Sequence, residues 1–288
     1  MLFTALALGL AQPAPCSPLP GWEAVAEASR DKFLVFGEMH GTAESPAAVA
    51  EYICALPEDE AVLLAIEFGA SKSDAFEAAW AGPTDGLRDR LMAGVEDWGV
   101  RQDGVASEAM MAMLERVHAL KNAGRDIRIA AFNGDVHVTQ QRALEALPGQ
   151  EPHEAQQALN IRAAADAGTQ EHVVVLVGNL HARETIIDDT WRPMAMILGP
   201  DDDVVTLGQA YDGGASWSCQ RVEGAKPDAN GRLPMSAVKC GAHKAGRFAM
   251  DGMERGFGLF APGEGSDAYD GYYHVGTITA SPPVERAD

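Results

Sequence analysis

Four short apolar runs in this chain each end in side chains able to do chemistry. Phe33 to Phe36 runs into Gly37-Glu38-Met39-His40-Gly41, and Val62 to Ile66 into Glu67. Ile127 to Phe132 runs into Asn133-Gly134-Asp135-Val136-His137, and Val173 to Val177 into Gly178-Asn179-Leu180-His181. Burying unpaired polar groups costs several kcal/mol each, so four such endings are most simply explained by convergence on one site. Glu38 and His40 lie two apart, so in extended chain both side chains leave the same face, while Gly37 and Gly41 permit tight backbone around them. The principal set is Glu38, His40, Glu67 and His181. Two imidazoles and two carboxylates can hold a divalent metal such as Zn, Mn or Fe, which lowers the pKa of bound water. They can equally act without metal, a histidine and its carboxylate serving as general base. The residue types leave both chemistries open.

Asp135 and His137, at the third ending, form a second rank. Trp98, Arg101, Asp103 and Ser107 precede a long helical stretch whose first amides can meet an anion, although Ser107 reads equally well as an ordinary N-cap. Asn179, Arg183 and Glu184 flank His181 as further binding candidates. His118, His153 and His172 read as satisfied polar residues, the first within a helix and the others facing solvent, and His243 and His274 have no assigned role. No nucleophile elbow, Walker loop or GxGxxG follows a strand, so serine α/β-hydrolases, P-loop NTPases and Rossmann dehydrogenases lose their usual signatures.

The elements that must place these groups alternate. Continuous apolar runs of four or five residues, and the stretch Ile127 to Phe132 broken only by Arg128, read as strands. Between them lie helical patterns: one capped by Ser45 with Pro46 at its first position, one over 73–80, a long one over 107–122 with Met110, Met113, Leu114, Val117 and Leu120 inward, and one over 151–167. Further strands are expected at 194–198, 204–207 and 272–278. Strand–helix alternation implies right-handed crossovers, hence an α/β fold with a mostly parallel central sheet and helices on both faces. Ligands of such sheets bind beyond the carboxyl ends of the strands, where the four endings lie. Residues 20–210 therefore form the α/β domain that carries the site. Residues 211–288, rich in Gly, Pro and aromatics, form a loop- and strand-rich C-terminal extension packed on that domain.

With 42 acidic and 22 basic residues, the formal charge of −20 repels phosphate backbones and anionic lipid surfaces, which argues against nucleic acid and membrane partners. A small-molecule or peptide substrate remains. Residues 1–15 resemble a signal peptide, with an apolar run over Met1 to Ala11 but no preceding Lys or Arg; an extracytoplasmic location follows. Cys54 falls on the apolar face of a helix and reads as a core residue. Cys219 and Cys240 can close a disulfide worth about 3 kcal/mol in an oxidising compartment, or stay as buried thiols.

The run Gly37-Glu38-Met39-His40-Gly41-Thr42-Ala43-Glu44 resembles the GExH element of the erythromycin esterase-like, ChaN-like and TIKI/TraB superfamily. Gly178-Asn179-Leu180-His181-Ala182 resembles that group's second histidine motif, Ile66-Glu67-Phe68 its acidic strand end, and Trp98 through Ser107 a stretch found in some members. The likeness spans roughly residues 30 to 200. It implies a parallel-sheet α/β fold with a His/Glu site at Glu38, His40, Glu67 and His181. The superfamily includes macrolide ester hydrolases, metal-dependent proteases and haem-binding proteins. The chain lacks the extended helical insertions of the macrolide esterases, and nothing after Tyr211 matches the pattern. The expected function is hydrolysis of an ester or amide by water activated at Glu38 and His40, with Glu67 and His181 as co-ligands or transition-state stabilisers. The alternative is a haem or metal binding protein for uptake or storage.

Overall fold

The two histidine motifs lie at the ends of neighbouring central strands, Phe33–Glu38 and His172–Gly178, of one seven-stranded sheet. The computed structural model describes residues 14–134, 149, 151–226, 234, 237–261 and 263–286; the signal-like start up to residue 13, Asp135 and His137 lie outside these residues. The strands are β1 (Phe33–Glu38), β2 (Val62–Gly69), β3 (Ile127–Asn133), β4 (His172–Gly178), β5 (Val204–Ala210), β6 (Gly214–Arg221), β7 (Val238–Ala245), β8 (Gly256–Leu259) and β9 (Gly271–His274). The helices are α1 (Trp22–Ala28), α2 (Glu44–Ala55), α3 (Ser73–Trp80), α4 (Leu87–Gly94), α5 (Glu108–Asn122), α6 (Glu151–Asp166) and α7 (Ala195–Leu198).

All pairings in the seven-stranded sheet, of order β3-β2-β4-β1-β5-β9-β8, are parallel except β8 with β9. β6 and β7 make a separate antiparallel ribbon. Because parallel strands need crossovers, both sheet faces are covered, and β1, β2 and β4 are accordingly apolar almost throughout. One face packs Phe36, Leu64 and Ile66 against Val49, Ile53, Met110, Leu114 and Val117 of α2 and α5. The other packs Val35, Ala65 and Val175 against Ala158 and Ile161 of α6 and Leu198 of α7. The inward stripe expected for residues 107–122 is the buried face of α5, and Ser107 caps it by accepting from the Met110 amide at 3.3 Å.

Several local expectations change. Residues 194–198 are not a strand: Ala195–Leu198 form the short helix α7, with Met194 at its start. The Leu198 amide turns back to the Met194 carbonyl at 2.9 Å, and the Arg162 guanidinium donates to the carbonyls of Ile197 and Leu198, which takes these groups out of any ladder. Ser45 lies inside α2, which begins at Glu44, and its hydroxyl meets that of Tyr273 at 2.6 Å. Cys54 is not a lone core thiol but is joined to Cys16, and Cys219 is joined to Cys240 across β6 and β7. His172 does not face solvent: it is buried at the start of β4 and lies 2.6 Å from Glu60. No helix among the described residues is long and apolar enough to cross a membrane.

Candidate active site

In register, Glu38 at the end of β1 stands beside Gly178 at the end of β4. This pairing brings the two histidine motifs together. A Cβ on Gly178 would lie 2.8 Å from His40 Nε2, so glycine is what lets the first imidazole lie against the second loop. The Asn179 amide donates to the Glu38 carbonyl at 2.8 Å and continues the β-pattern one residue further.

Acid and imidazole then alternate across the strand ends. Glu38 Oε1 lies 2.8 Å from His40 Nδ1, and His40 Nε2 lies 3.3 Å from Glu67 Oε2. His181 Nε2 lies 4.0 Å from Glu67 Oε1, and both oxygens of Glu154 lie 2.8 Å from His181 Nδ1. The structure thus brings Glu38, His40, Glu67 and His181 together and adds Glu154 from the first turn of α6. Glu154 is completely buried and also accepts from the Met194 amide at 2.8 Å. Glu67 accepts from the Gly178 amide at 2.8 Å, and Asn133 Nδ2 is 3.4 Å from its other oxygen. Glu38 Oε2 is buried and has no hydrogen-bond partner among the described residues.

These contacts fix the charges. Burial pulls the His40 imidazole toward neutrality, but the charge of Glu67 and the hydrogen bonds of Glu38 and Glu67 outweigh it and raise its pKa to about 10. Burial likewise opposes ionisation of Glu67. The charge and hydrogen bond of His40, the charge of His181 and the Gly178 amide prevail and hold the carboxyl at about 2. His181 is raised above 6.5 against burial, chiefly by its bond to Glu154 and then by the charge of Glu67. Near neutrality the pair of His40 and Glu67 is an imidazolium and a carboxylate.

The other expected residues divide. Asp103 and Asn179 line a cavity of about 400 Å³ with Glu38, His40, Tyr211 and Ser218. Arg101 bonds Asp103 at 2.7 Å and the Glu67 carbonyl at 3.1 Å, bracing the end of β2 from the side. Trp98 is fully buried, with its ring 4.9 Å from Phe68. Arg183 bonds Thr185 at 3.1 Å. Gln209 carried no signal in the sequence, yet its Oε1 accepts from the Met39 amide at 2.6 Å and its Nε2 reaches Thr42 at 3.3 Å, pinning the loop that holds His40. His153, expected to face solvent, has its ring centroid 5.7 Å from that of His181.

The donor groups bear unequally on a metal. His40 gives its two nitrogens to two different carboxylates on opposite edges of the ring, so those three residues do not aim at one point. His153, Glu154 and His181 do: one donor atom from each lies within 4.8 Å of the others. That group contains only His181 of the four residues expected to ligate.

No family model matches the sequence, and no curated protein does. Solved structures do share its fold. A mutant of the erythromycin esterase EreC in its open conformation superposes with a TM-score of 0.62 at 12% identity, covering 92% of this chain and 94% of that one. A succinoglycan biosynthesis protein gives 0.56 at 11% identity over 95% and 96% of the two chains. A Bacillus cereus protein gives 0.52 at 8% identity over 96% and 95%. The expected likeness to erythromycin esterases therefore holds at the level of the fold.

Proposed function

We propose that this protein hydrolyses an ester or amide of a small molecule or peptide at the strand ends around Glu38 and His40. The observation that carries the reading is the alternation Glu38, His40, Glu67, His181, Glu154, whose first carboxylate keeps one buried oxygen without a partner. Glu38 Oε2 accepts a proton from water as the water oxygen bonds to the carbonyl carbon. His40 is held as an imidazolium by two carboxylates, and its Nε2–H, on the longer 3.3 Å contact, turns to the developing oxyanion. When the bond to the leaving group breaks, the proton on Glu38 passes to the departing oxygen or nitrogen. Glu67 keeps His40 charged, and Glu154 positions His181 so that its Nε2 faces Glu67.

The test is the activity of His40→Ala and His181→Ala on a panel of simple esters and amides. A loss of roughly 100-fold or more in kcat is expected where a charge-stabilising donor is removed. Folded variants that matched the wild type on every substrate it cleaves would end this reading.

A second reading rests on the convergence of His153, Glu154 and His181. A divalent cation held there would supply Lewis acidity and lower the pKa of a bound water. Elemental analysis of the isolated protein and of His153→Ala separates the readings: a stoichiometric metal lost in the variant favours this one. Haem fits the site less well. Carboxylate, amide and hydroxyl groups line the cavity beside His40, whereas a macrocycle needs an apolar slot. The two disulfides support an extracytoplasmic location.

A further inference from the structure

A second cavity, of about 250 Å³, opens beside the end of β5 and differs from the first in character. Its wall is largely hydrophobic or aromatic: Phe248, Met250, Met253, Phe260, Tyr269 and Tyr272. Phe248 and Met250 are 53% and 39% exposed. Large apolar side chains grouped around a concavity and left in water mark a place where an apolar group binds.

The cavity is built from the same segments as the candidate active site. Lys244, Ala245 and Gly246 line the polar cavity, and the next residues, Arg247 to Met250, line the apolar one. On β5 and just past it, Gly208 to Ala210 line the apolar cavity and Tyr211 the polar one. Tyr211 and Phe248 exchange two backbone hydrogen bonds of 2.8 Å, which joins these stretches into one wall. Two residues of the apolar cavity also hold the histidine loops. Gln209 accepts from the Met39 amide in the first motif, and the Tyr269 hydroxyl donates to the Asn179 carbonyl in the second at 2.8 Å. The Tyr269 ring packs against β5, where a Cβ on Gly208 would come within 2.9 Å of it.

We propose that this cavity is a subsite for an apolar group of the substrate, an alkyl chain or a single aryl ring, with the scissile carbonyl beside Glu38 and His40. The proposal rests on the hydrolase reading for the second half of that statement only. It makes the substrate class an ester or amide with one compact hydrophobic arm and a polar remainder.

Two measurements test it. The first is kcat/KM for 4-nitrophenyl acetate, butanoate and hexanoate, where burial of methylene groups gives roughly a tenfold rise for every two added. Ala249→Phe, which fills the cavity, is expected to bring the hexanoate-to-acetate ratio toward one, and Met253→Ala to move the optimum to a longer chain. The second is binding of 1-hexanol, with ethanol as the control, read from the ¹³C-methyl resonances of Met250 and Met253. Hexanol is expected to shift both at concentrations where ethanol shifts neither. The proposal is overturned if hexanol moves neither methyl, or if chain-length preference is the same in both variants as in the wild type. Hexanol shifting both methyls while none of the esters is cleaved upholds the apolar site and sinks the hydrolase reading alone.

Discussion

Glu154 holds His181 by a single ring nitrogen, with both carboxylate oxygens 2.8 Å from Nδ1. The pair links helix α6 to the loop after β4, 27 residues apart in the chain. Because Glu154 is completely buried and also tied to the Met194 amide, it has little freedom to turn, and the imidazole takes its orientation from it. A carboxylate on Nδ1 keeps a proton there and leaves Nε2 for the site, the arrangement that outer carboxylates impose on functional histidines.

Glu154→Gln keeps the shape but removes the charge. We expect kcat to fall about 10- to 100-fold, the range seen when such supporting partners are lost. The His181 pKa, now raised chiefly by Glu154 once burial is overcome, should fall in the same variant. An NMR titration of His181 reads this directly. A fall in kcat with an unmoved His181 titration would show that Glu154 acts only through packing.

The opposed shifts of His40 and Glu67 give a signed dependence of stability on pH. His40 is raised from 6.5 to about 10, so its contribution is complete below 6.5 and is lost as pH rises from there through about 10. Glu67 is lowered from 4.5 to about 2, so its contribution is complete above 4.5 and is lost as pH falls through about 2. Urea unfolding should therefore show the largest gap between wild type and His40→Gln between pH 4.5 and 6.5, closing in both directions. A gap that stayed constant from pH 6 to pH 10 would mean that His40 is not held as an imidazolium.

The ends of the sheet were readable because a strand buried on both faces writes itself as an unbroken apolar run, and the first polar residue after it stands out. Glu38 and Glu67 are located in that way, and His181 stands two residues past Asn179, the first polar residue after β4. Glu154 is different. A glutamate in the first turn of a helix is what the helix dipole favours on any surface, so its type and place said nothing about a partner. The sign that existed was the company it keeps: Glu154, Gln156 and Gln157 are all buried, and inward polar groups on a weakly amphipathic helix ask for partners. His153 was hidden because a lone histidine on a helix reads as a satisfied polar residue. Cys54 occupies a core-facing helical position whether it is a thiol or half of a disulfide, and Cys16 lay too far off in the chain to suggest the pairing. Residues 194–198 were ambiguous because a short apolar run fits a strand or a buried helical turn equally well.

Gly41 couples the first motif to the β6–β7 ribbon. Its φ is 70°, and a Cβ there would lie 2.1 Å from the Trp217 carbonyl oxygen, while the Trp217 amide donates to the Gly41 carbonyl at 2.8 Å. Gly41→Ala meets both a left-handed backbone and a backbone clash that cannot move without displacing the ribbon. A loss of about 2 kcal/mol or more in urea unfolding is expected, together with reduced activity, since Ser218 on that ribbon lines the cavity beside His40. A loss below about 0.5 kcal/mol would show that the ribbon is not fixed to this loop.

Glu184, three residues past His181, is pushed up to about 8 by burial, by the charge of Asp270 and by a hydrogen bond to it. Asp270 is itself fixed, accepting from the Thr206 amide at 2.9 Å while its own amide donates to the Thr206 hydroxyl at 3.1 Å. Two carboxyls in one place share a proton until the pH is high enough to remove it. A raised acid binds its proton more tightly in the folded state, so its contribution to stability is present below 4.5 and is lost as pH rises through about 8. Glu184→Gln cannot ionise and keeps a donor toward Asp270. The variant should therefore match the wild type near pH 4 and exceed it by a growing margin up to pH 9, measured as the midpoint of urea unfolding at each pH. A variant less stable than the wild type at pH 9 would show that the ionised pair is tolerated, and that burial at this position costs less than its surroundings imply.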